Sequence, residues 1–340
     1  TTMSAFWIIV LNSWMHTPQG FEMIDGQAFA TDWWAIIFNP SMPYRFAHMM
    51  LASFLTVGFL VAGVSAFRWL LGDRSREVRA MLKTGVSIGA LLIPVQIFMG
   101  DLHGLNTKEY QPAKVAAMEG LWETQAGAPL VLFGIPDEEA RTNHMAVEIP
   151  GLASFILTHE WDGALQGLND FVAEDGTVLH PPVAPVFWSF RVMVGTGVAM
   201  LLLSWASVWF MWRRRALHEG RIKGHWFAVE GLPKPILWAL VPMAFSGWVA
   251  TLAGWYTTEI GRQPWLVQGV MTTEMAVADV PAPMVMGTLV TYLAIYAALL
   301  VAYIGVIAYL ARKAARGEDG RAIDMTHSGK AQVAALSPAE

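Results

Sequence analysis

Long apolar runs alternate with short basic connections along most of the chain, and one polar stretch interrupts that rhythm. Runs of about the 20 residues that a helix needs to cross a hydrocarbon core cover 44–71, 81–99, 186–212, 236–256 and 284–311. The chain opens at Thr1 directly into TTMSAFWIIVLNSWM. That run is shorter than a span, which predicts the second part of a transmembrane helix whose beginning precedes this sequence. From about 101 to 185 the chain is too polar to cross a bilayer. Residues after Arg316 are small, polar and aperiodic, which predicts a disordered tail. The pattern predicts an all-α, polytopic transmembrane bundle with helices over 1–99, one long outer loop over 100–185, further helices over 186–311 and a tail over 312–340.

Charge then orients the bundle. Arg68, Arg74, Arg76, Arg79 and Lys83 crowd one connection, Arg213, Arg214, Arg215, Arg221, Lys223 and Lys234 another, and Arg312, Lys313, Arg316 and Arg321 the tail. Positive residues favour the cytoplasmic side of a membrane. The long segment falls on the opposite side, and it carries Lys108, Lys114 and Arg141 against thirteen Asp and Glu. Composition agrees: the chain is 55% hydrophobic, 14% charged and rich in tryptophan, with a mean hydropathy of +0.42, whereas soluble domains carry about a quarter charged residues. The complete lack of cysteine excludes cysteine-ligated clusters, thioether-attached haem and disulfides in this chain. Any metal here must use His, Met or carboxylate.

Arg45, Arg191 and Arg262 are the charges left over, each at the outer end of an expected helix. Headgroup snorkelling is the plain expectation for any one of them. Three together, each beside a candidate metal ligand, favour a shared anionic cofactor bearing carboxylate side arms. His48 lies near the start of the second span, and a histidine inside a span is a functional candidate by default. Met193 enters the bilayer from the same side at similar depth, although packing alone explains most methionines. Glu259 ends another span, with Trp255 four residues before it and Arg262 three after, so that one helical face can carry all three. A surface Glu–Arg pair is the bland alternative. Within KVAAMEGLWETQ at 114–125, Lys114 and Glu119 stand five apart and do not share a face of a regular helix. Either the helix breaks there or both groups point into a pocket. Such a pair beside Trp122 suits a quinol that loses protons as it loses electrons; a solvated charged helix is the commoner outcome.

GRQPW after a Trp-rich helix, FWSFRVMVG, the RFAH helix start, and KVAAMEGLWETQ followed by LFGIPDEEARTN together resemble subunit I of the cytochrome bd-type quinol oxidases, including their cyanide-insensitive branch. The resemblance runs from about residue 4 to 311. It implies that His48 and Met193 are the axial ligands of a low-spin haem b, with Arg191 and Arg45 beside it. It makes Glu259 a ligand of a high-spin haem, near Trp255 and Arg262, and Lys114 and Glu119 the catalytic residues of a quinol-binding Q-loop. Ser4 and Asn12 fall on a helix associated with the proton route. The implied cofactors are low-spin haem b, high-spin haem b, and haem d or a further haem b. Ubiquinol or menaquinol is the implied donor and O2 the acceptor. The implied partners are subunit II and a small single-helix subunit in the bacterial cytoplasmic membrane, with no nucleic acid. The first helices of that family, which supply another haem ligand, are not in this sequence. Two other classes fit the apolar pattern: a haem-containing quinol dehydrogenase that hands electrons to another protein, and a transporter without redox centres. Visible haem absorption separates the last from the others.

Overall fold

The computed structural model describes residues 1–217 and 228–316; the expected tail, and Arg221 and Lys223 of the basic connection, lie outside the described residues. Among the described residues ten α-helices carry most of the structure: α1 (Thr2–His16), α2 (Trp33–Ile37), α3 (Met42–Leu70), α4 (Arg76–Tyr110), α5 (Pro112–Glu119), α6 (Leu152–Thr158), α7 (Val183–Leu217), α8 (Lys234–Met243), α9 (Ser246–Ile260) and α10 (Ala282–Ala315). Among the described residues, four helical segments are long and apolar enough to cross a membrane. They are 33–70, which joins α2 to α3, together with α4, α7 and α10. The run expected at 236–256 is a broken span, since α8 and α9 meet at a bend of 43° just after Pro242. A proline near a helix end removes a backbone hydrogen bond and is a common cause of such breaks.

Short two-stranded sheets decorate the connections: β1 (Phe21–Ile24) with β2 (Gln27–Ala30), β3 (Gln125–Ala126) with β6 (Ala164–Leu165), β4 (Leu130–Asp137) with β5 (Thr142–Ile149), and β7 (Trp265–Val267) with β8 (Met271–Thr272). The all-α bundle is as expected, and the region read as one long outer loop over 100–185 carries hairpins that the apolar pattern does not name. Its boundary also differs from the apolar pattern, because α4 runs on past Met99 through Asp101 and Lys108 to Tyr110. No breaker intervenes before Gln111, whose conformation is restricted by Pro112.

Small residues let the spanning helices approach closely, as they do in bilayers, where burying apolar side chains gives little drive. A Cβ on Gly85 of α4 would sit 2.6 Å from Ala62 N and 2.7 Å from Gly58 O of α3. Below this contact Ala62, Ala66, Trp69, Val78, Leu82, Met211 and Leu240 form a core shared by α3, α4, α7 and α8. Gly85→Val is therefore expected to destabilise the purified protein by about 1–3 kcal/mol through overpacking, read as a lower thermal midpoint in detergent. An unchanged midpoint would mean that the two helices separate freely there.

Candidate functional site

One end of the bundle carries the long connection and the other carries the basic residues. At the loop end, α5 folds back across the bundle because Pro112 starts it and Gly120, with φ +67°, ends it in the left-handed region. That glycine also permits a close approach, since a Cβ there would lie 2.9 Å from the Phe187 ring of α7. Ala116, Ala117, Met118 and Trp122 then pack on Leu168, Val183 and Val186. The packing fixes α5 over the ends of the membrane helices.

Lys114 and Glu119 are both buried in this arrangement, which overturns the expectation of a solvated charged helix. The helix between them is regular, and their surroundings differ. Lys114 Nζ donates 2.7 Å to Gln111 Oε1 and lies 3.1 Å from His16 Nδ1 of α1. Burial, with Arg45 and Arg262 nearby, holds the Lys114 ammonium well below its ordinary range, and Glu259 opposes them. Glu119 turns instead toward a cavity of about 80 Å³ that Lys108, Pro112, Val115 and Leu165 help to line, and its Oε2 has no hydrogen-bond partner. Burial pushes its carboxyl up to about 7, with Arg191 pulling the other way. A single pocket holding both groups is not what the fold forms: five positions along one continuous helix point them to different sides.

Around Lys114 lies a buried polar cluster. Asn12 donates 2.7 Å to Glu259 Oε1 and accepts from Arg45 Nη1 at 3.3 Å, while Arg262 Nη2 donates 2.6 Å to Glu259 Oε2. Gln111 also reaches Gln268 at 3.0 Å. Arg262 alone touches the Glu259 carboxylate; Arg45 reaches it through Asn12, and Lys114 feels it only through space. Arg45 Nε, Arg262 Nε and Nη1, and His16 Nε2 are buried without partners among the described residues. Burial lowers the Arg262 guanidinium from its ordinary value, with Glu259 acting against that. Unpaired buried charge is strongly unfavourable. The cluster therefore has the donors and the charge to receive an anionic group with carboxylate arms. Headgroup snorkelling does not describe Arg45 or Arg262. Trp255, expected to share their face, is 40% exposed on α9.

Arg191 serves another purpose. Its guanidinium donates to the carbonyls of Val131, of Met118 (2.6 Å) and of Phe187 (3.1 Å), and stacks over the Phe187 ring at 3.3 Å. It clamps β4 and α5 onto α7 instead of joining the other two arginines. Hydrogen bonds to charged donors are worth about 1.5–3 kcal/mol each. Arg191→Met is expected to loosen the connection, seen as faster proteolysis within 126–150. Unaltered cleavage would reassign the clamp.

A hydrocarbon core takes about 20 helical residues, and counting that far from Arg68 on α3 and from Arg213 on α7 reaches His48 and Met193. By this count the two candidates stand the same number of residues from the basic end. His48 faces α4, where Gln96 Nε2 is 3.0 Å from its Nε2, and the ring of His103 lies 6.0 Å away, centre to centre. Its Nδ1 is buried without a partner. Each candidate also abuts a glycine: a Cβ on Gly100 would come within 3.3 Å of His48 Cε1, and one on Gly254 of α9 within 2.8 Å of Met193 Sδ. An imidazole and a thioether at matching positions along their helices, each against a glycine, with carboxylate-seeking donors on the neighbouring elements, fit a haem. Among the described residues no three His, Asp or Glu converge as a chelating metal site, so any iron here would be held by donors from separate helices.

Sequence reasoning missed His16, Gln96, His103 and Gln111. His16 lies at the end of an incomplete apolar run, Gln96 is a lone polar residue within the run 81–99, His103 falls where the apolar pattern fades although α4 continues, and Gln111 just follows α4. A histidine seven residues beyond a glutamine on one helix was the available signal.

A family profile described as cytochrome bd terminal oxidase subunit I matches residues 1–315. The chain is 34% identical over 284 residues to cytochrome bd ubiquinol oxidase subunit 1 of Bacillus subtilis (strain 168), covering 82% of this chain and 58% of that protein. It is 28% identical over 380 residues to cytochrome bd-II ubiquinol oxidase subunit 1 of Escherichia coli (strain K12), covering 93% and 70%. The solved bd oxidase from Geobacillus thermodenitrificans superposes with a TM-score of 0.77 at 32% identity, over 92% of this chain and 67% of that one. The chain thus spans 58% of the length of the first of these relatives.

Proposed function

We propose, on the premise that this chain belongs to the cytochrome bd terminal oxidase subunit I family, that it takes electrons from a quinol at the loop end and delivers them to O2. Each quinol gives two electrons and two protons, so two quinols reduce one O2 to two waters. The observation that carries the reading is the buried cluster of Arg45, Lys114 and Arg262 with unpartnered donor atoms, together with His48 and Met193 at matching positions along their helices. That pair would hold a low-spin haem b, which supplies one-electron transfer, and His/Met ligation raises its potential.

The chain's own residues do the proton and charge work. Glu119 accepts a quinol proton at its free Oε2. Lys114 is held beside the cluster by Gln111 and His16, and Asn12 and Arg262 hold the Glu259 carboxylate in place. Glu259 would ligate a high-spin haem b, with haem d or a further haem b completing the oxygen site. Ubiquinol or menaquinol is the donor. Subunit II and a small single-helix subunit are the partners, and the loop end faces the periplasm of a bacterial cytoplasmic membrane. The test is oxygen uptake by the purified complex with each quinol as donor. Soret absorption and quinol-dependent uptake are expected. A colourless protein defeats the redox reading, and haem without oxygen uptake defeats the terminal-oxidase part.

A further inference from the structure

The β4–β5 hairpin leaves Leu132, Phe133, Ile135, Met145, Val147 and Ile149 exposed, although it belongs to a connection that the sequence marks as polar. An apolar patch of this kind on one small element marks an interaction surface. The other side of the hairpin is committed: Val131 and Pro136 are buried, and Asn143 donates 2.8 Å to Gly120 O while accepting from Trp122 Nε1 at 3.1 Å. The charged residues Asp137, Glu138, Glu139 and Arg141 gather at its tip. The hairpin is therefore polarised across its width, protein-facing against apolar, and most of its charges gather at the tip, with the exposed Glu148 between Val147 and Ile149 the exception.

Its depth follows from its anchors. The hydrocarbon boundary at this end falls near Met193, about 20 residues from Arg213. Arg191, which binds Val131 O of β4, lies just above that level. Trp188 lies about 7 Å higher at 1.5 Å per residue, and its ring meets Phe133 of the hairpin edge-on with centres 5.2 Å apart. The interfacial layers add about 5–8 Å to each side of the hydrocarbon core, so Trp188 and Phe133 fall within that layer, where tryptophan is enriched. Below them Val192, Val194, Val198 and Leu202 of α7 are also exposed. The apolar surface of the hairpin thus continues an exposed apolar surface of a helix long and apolar enough to span a membrane.

We propose that the β4–β5 hairpin is a membrane-interface anchor, seated with its apolar side chains in the headgroup–acyl boundary of the bilayer and its charged tip in water. The bilayer is the occupant that continuity and depth favour over a protein partner, and the proposal does not depend on the quinol assignment. Seated there, the hairpin holds the chain that follows Glu119 at the depth where a lipid-tailed molecule has its headgroup.

Because the chain has no cysteine, single nitroxide labels report the surroundings directly. Val147→Cys, Ile135→Cys and, at the tip, Glu139→Cys would each be labelled in the purified complex. The complex would be reconstituted into phosphatidylcholine–phosphatidylglycerol vesicles without quinol, with the unsubstituted complex as the labelling control. Power saturation with O2 and with a water-soluble nickel chelate is expected to give an O2-to-nickel accessibility ratio severalfold higher at 147 and 135 than at 139. Equal, water-like ratios at all three sites overturn the proposal. Low accessibility to both relaxants at 147 and 135 also overturns it, in favour of a protein that covers the hairpin. An unchanged haem spectrum certifies each labelled complex, and because 147 and 135 lie on the same exposed surface, either site alone decides the question.

Discussion

His48→Ala is expected to remove the low-spin component from the reduced-minus-oxidised haem spectrum while leaving the chain folded. The side chain contributes little to helix packing: it sits at the loop end of α3, with one ring nitrogen on Gln96 and the other unpartnered. The tight α3–α4 contact lies farther along, at Gly58, Ala62 and Gly85. Loss of an imidazole donor therefore removes the metal site without dismantling the helix pair. Met193→Leu, which keeps the volume and removes the thioether, is expected to act in the same direction, because a methyl group cannot ligate iron. A wild-type spectrum in His48→Ala would end the ligand assignment, and with it the residue-count argument that pairs α3 with α7.

Glu119→Gln is expected to lower quinol turnover by about 10²–10⁴-fold, the usual cost of losing a general base, with the haem spectrum unchanged. Glutamine keeps the size and hydrogen-bonding capacity of the side chain and removes only ionisation. Burial raises the carboxyl to about 7, so the proton-accepting form is scarce below that pH and dominant above it. Turnover by the unsubstituted protein should then rise as pH increases through about 7, and the variant should lose that limb. Retention of full activity and of the same pH profile by Glu119→Gln would remove Glu119 from the reaction. Lys114→Met, which removes the amino donor and puts a thioether methyl in its place, should behave differently, disturbing the haem site through His16 and Gln111.

Most of the bundle is legible in the apolar pattern because a bilayer-crossing helix needs a minimum length, and that length is visible at α3, α7 and α10. The same criterion hides the last turns of α4: Asp101, Lys108 and Glu109 end the apolar run, but helix formation needs only the absence of a breaker, and the first is Pro112. The β4–β5 hairpin is obscured by Gly134 and Pro136 inside a strand and by register shifts between Val131, Phe133 and Ile135, which break the alternation that identifies strands. Among the candidate site residues, His48 and Glu259 stand out because polar groups near the ends of spans are conspicuous, whereas Met193 does not, since packing alone explains most methionines. The role of Arg191 is not legible, because its acceptors are backbone carbonyls as far as 73 positions away. The separation of Lys114 from Glu119 is partly legible in their spacing, whereas which neighbours each meets depends on how α5 lies across the bundle.

The gathering of three buried basic groups near Glu259 bears on how such a chain matures. Until an anion joins them, Arg45, Lys114 and Arg262 retain a demand for water that α5 denies them by lying on top. If a cofactor's carboxylates join the cluster as proposed, cofactor loading and closure of the loop end are expected to be coupled in biogenesis. Cells starved of the cofactor would accumulate chains that membrane proteases recognise at 111–182, well before any helix leaves the bilayer.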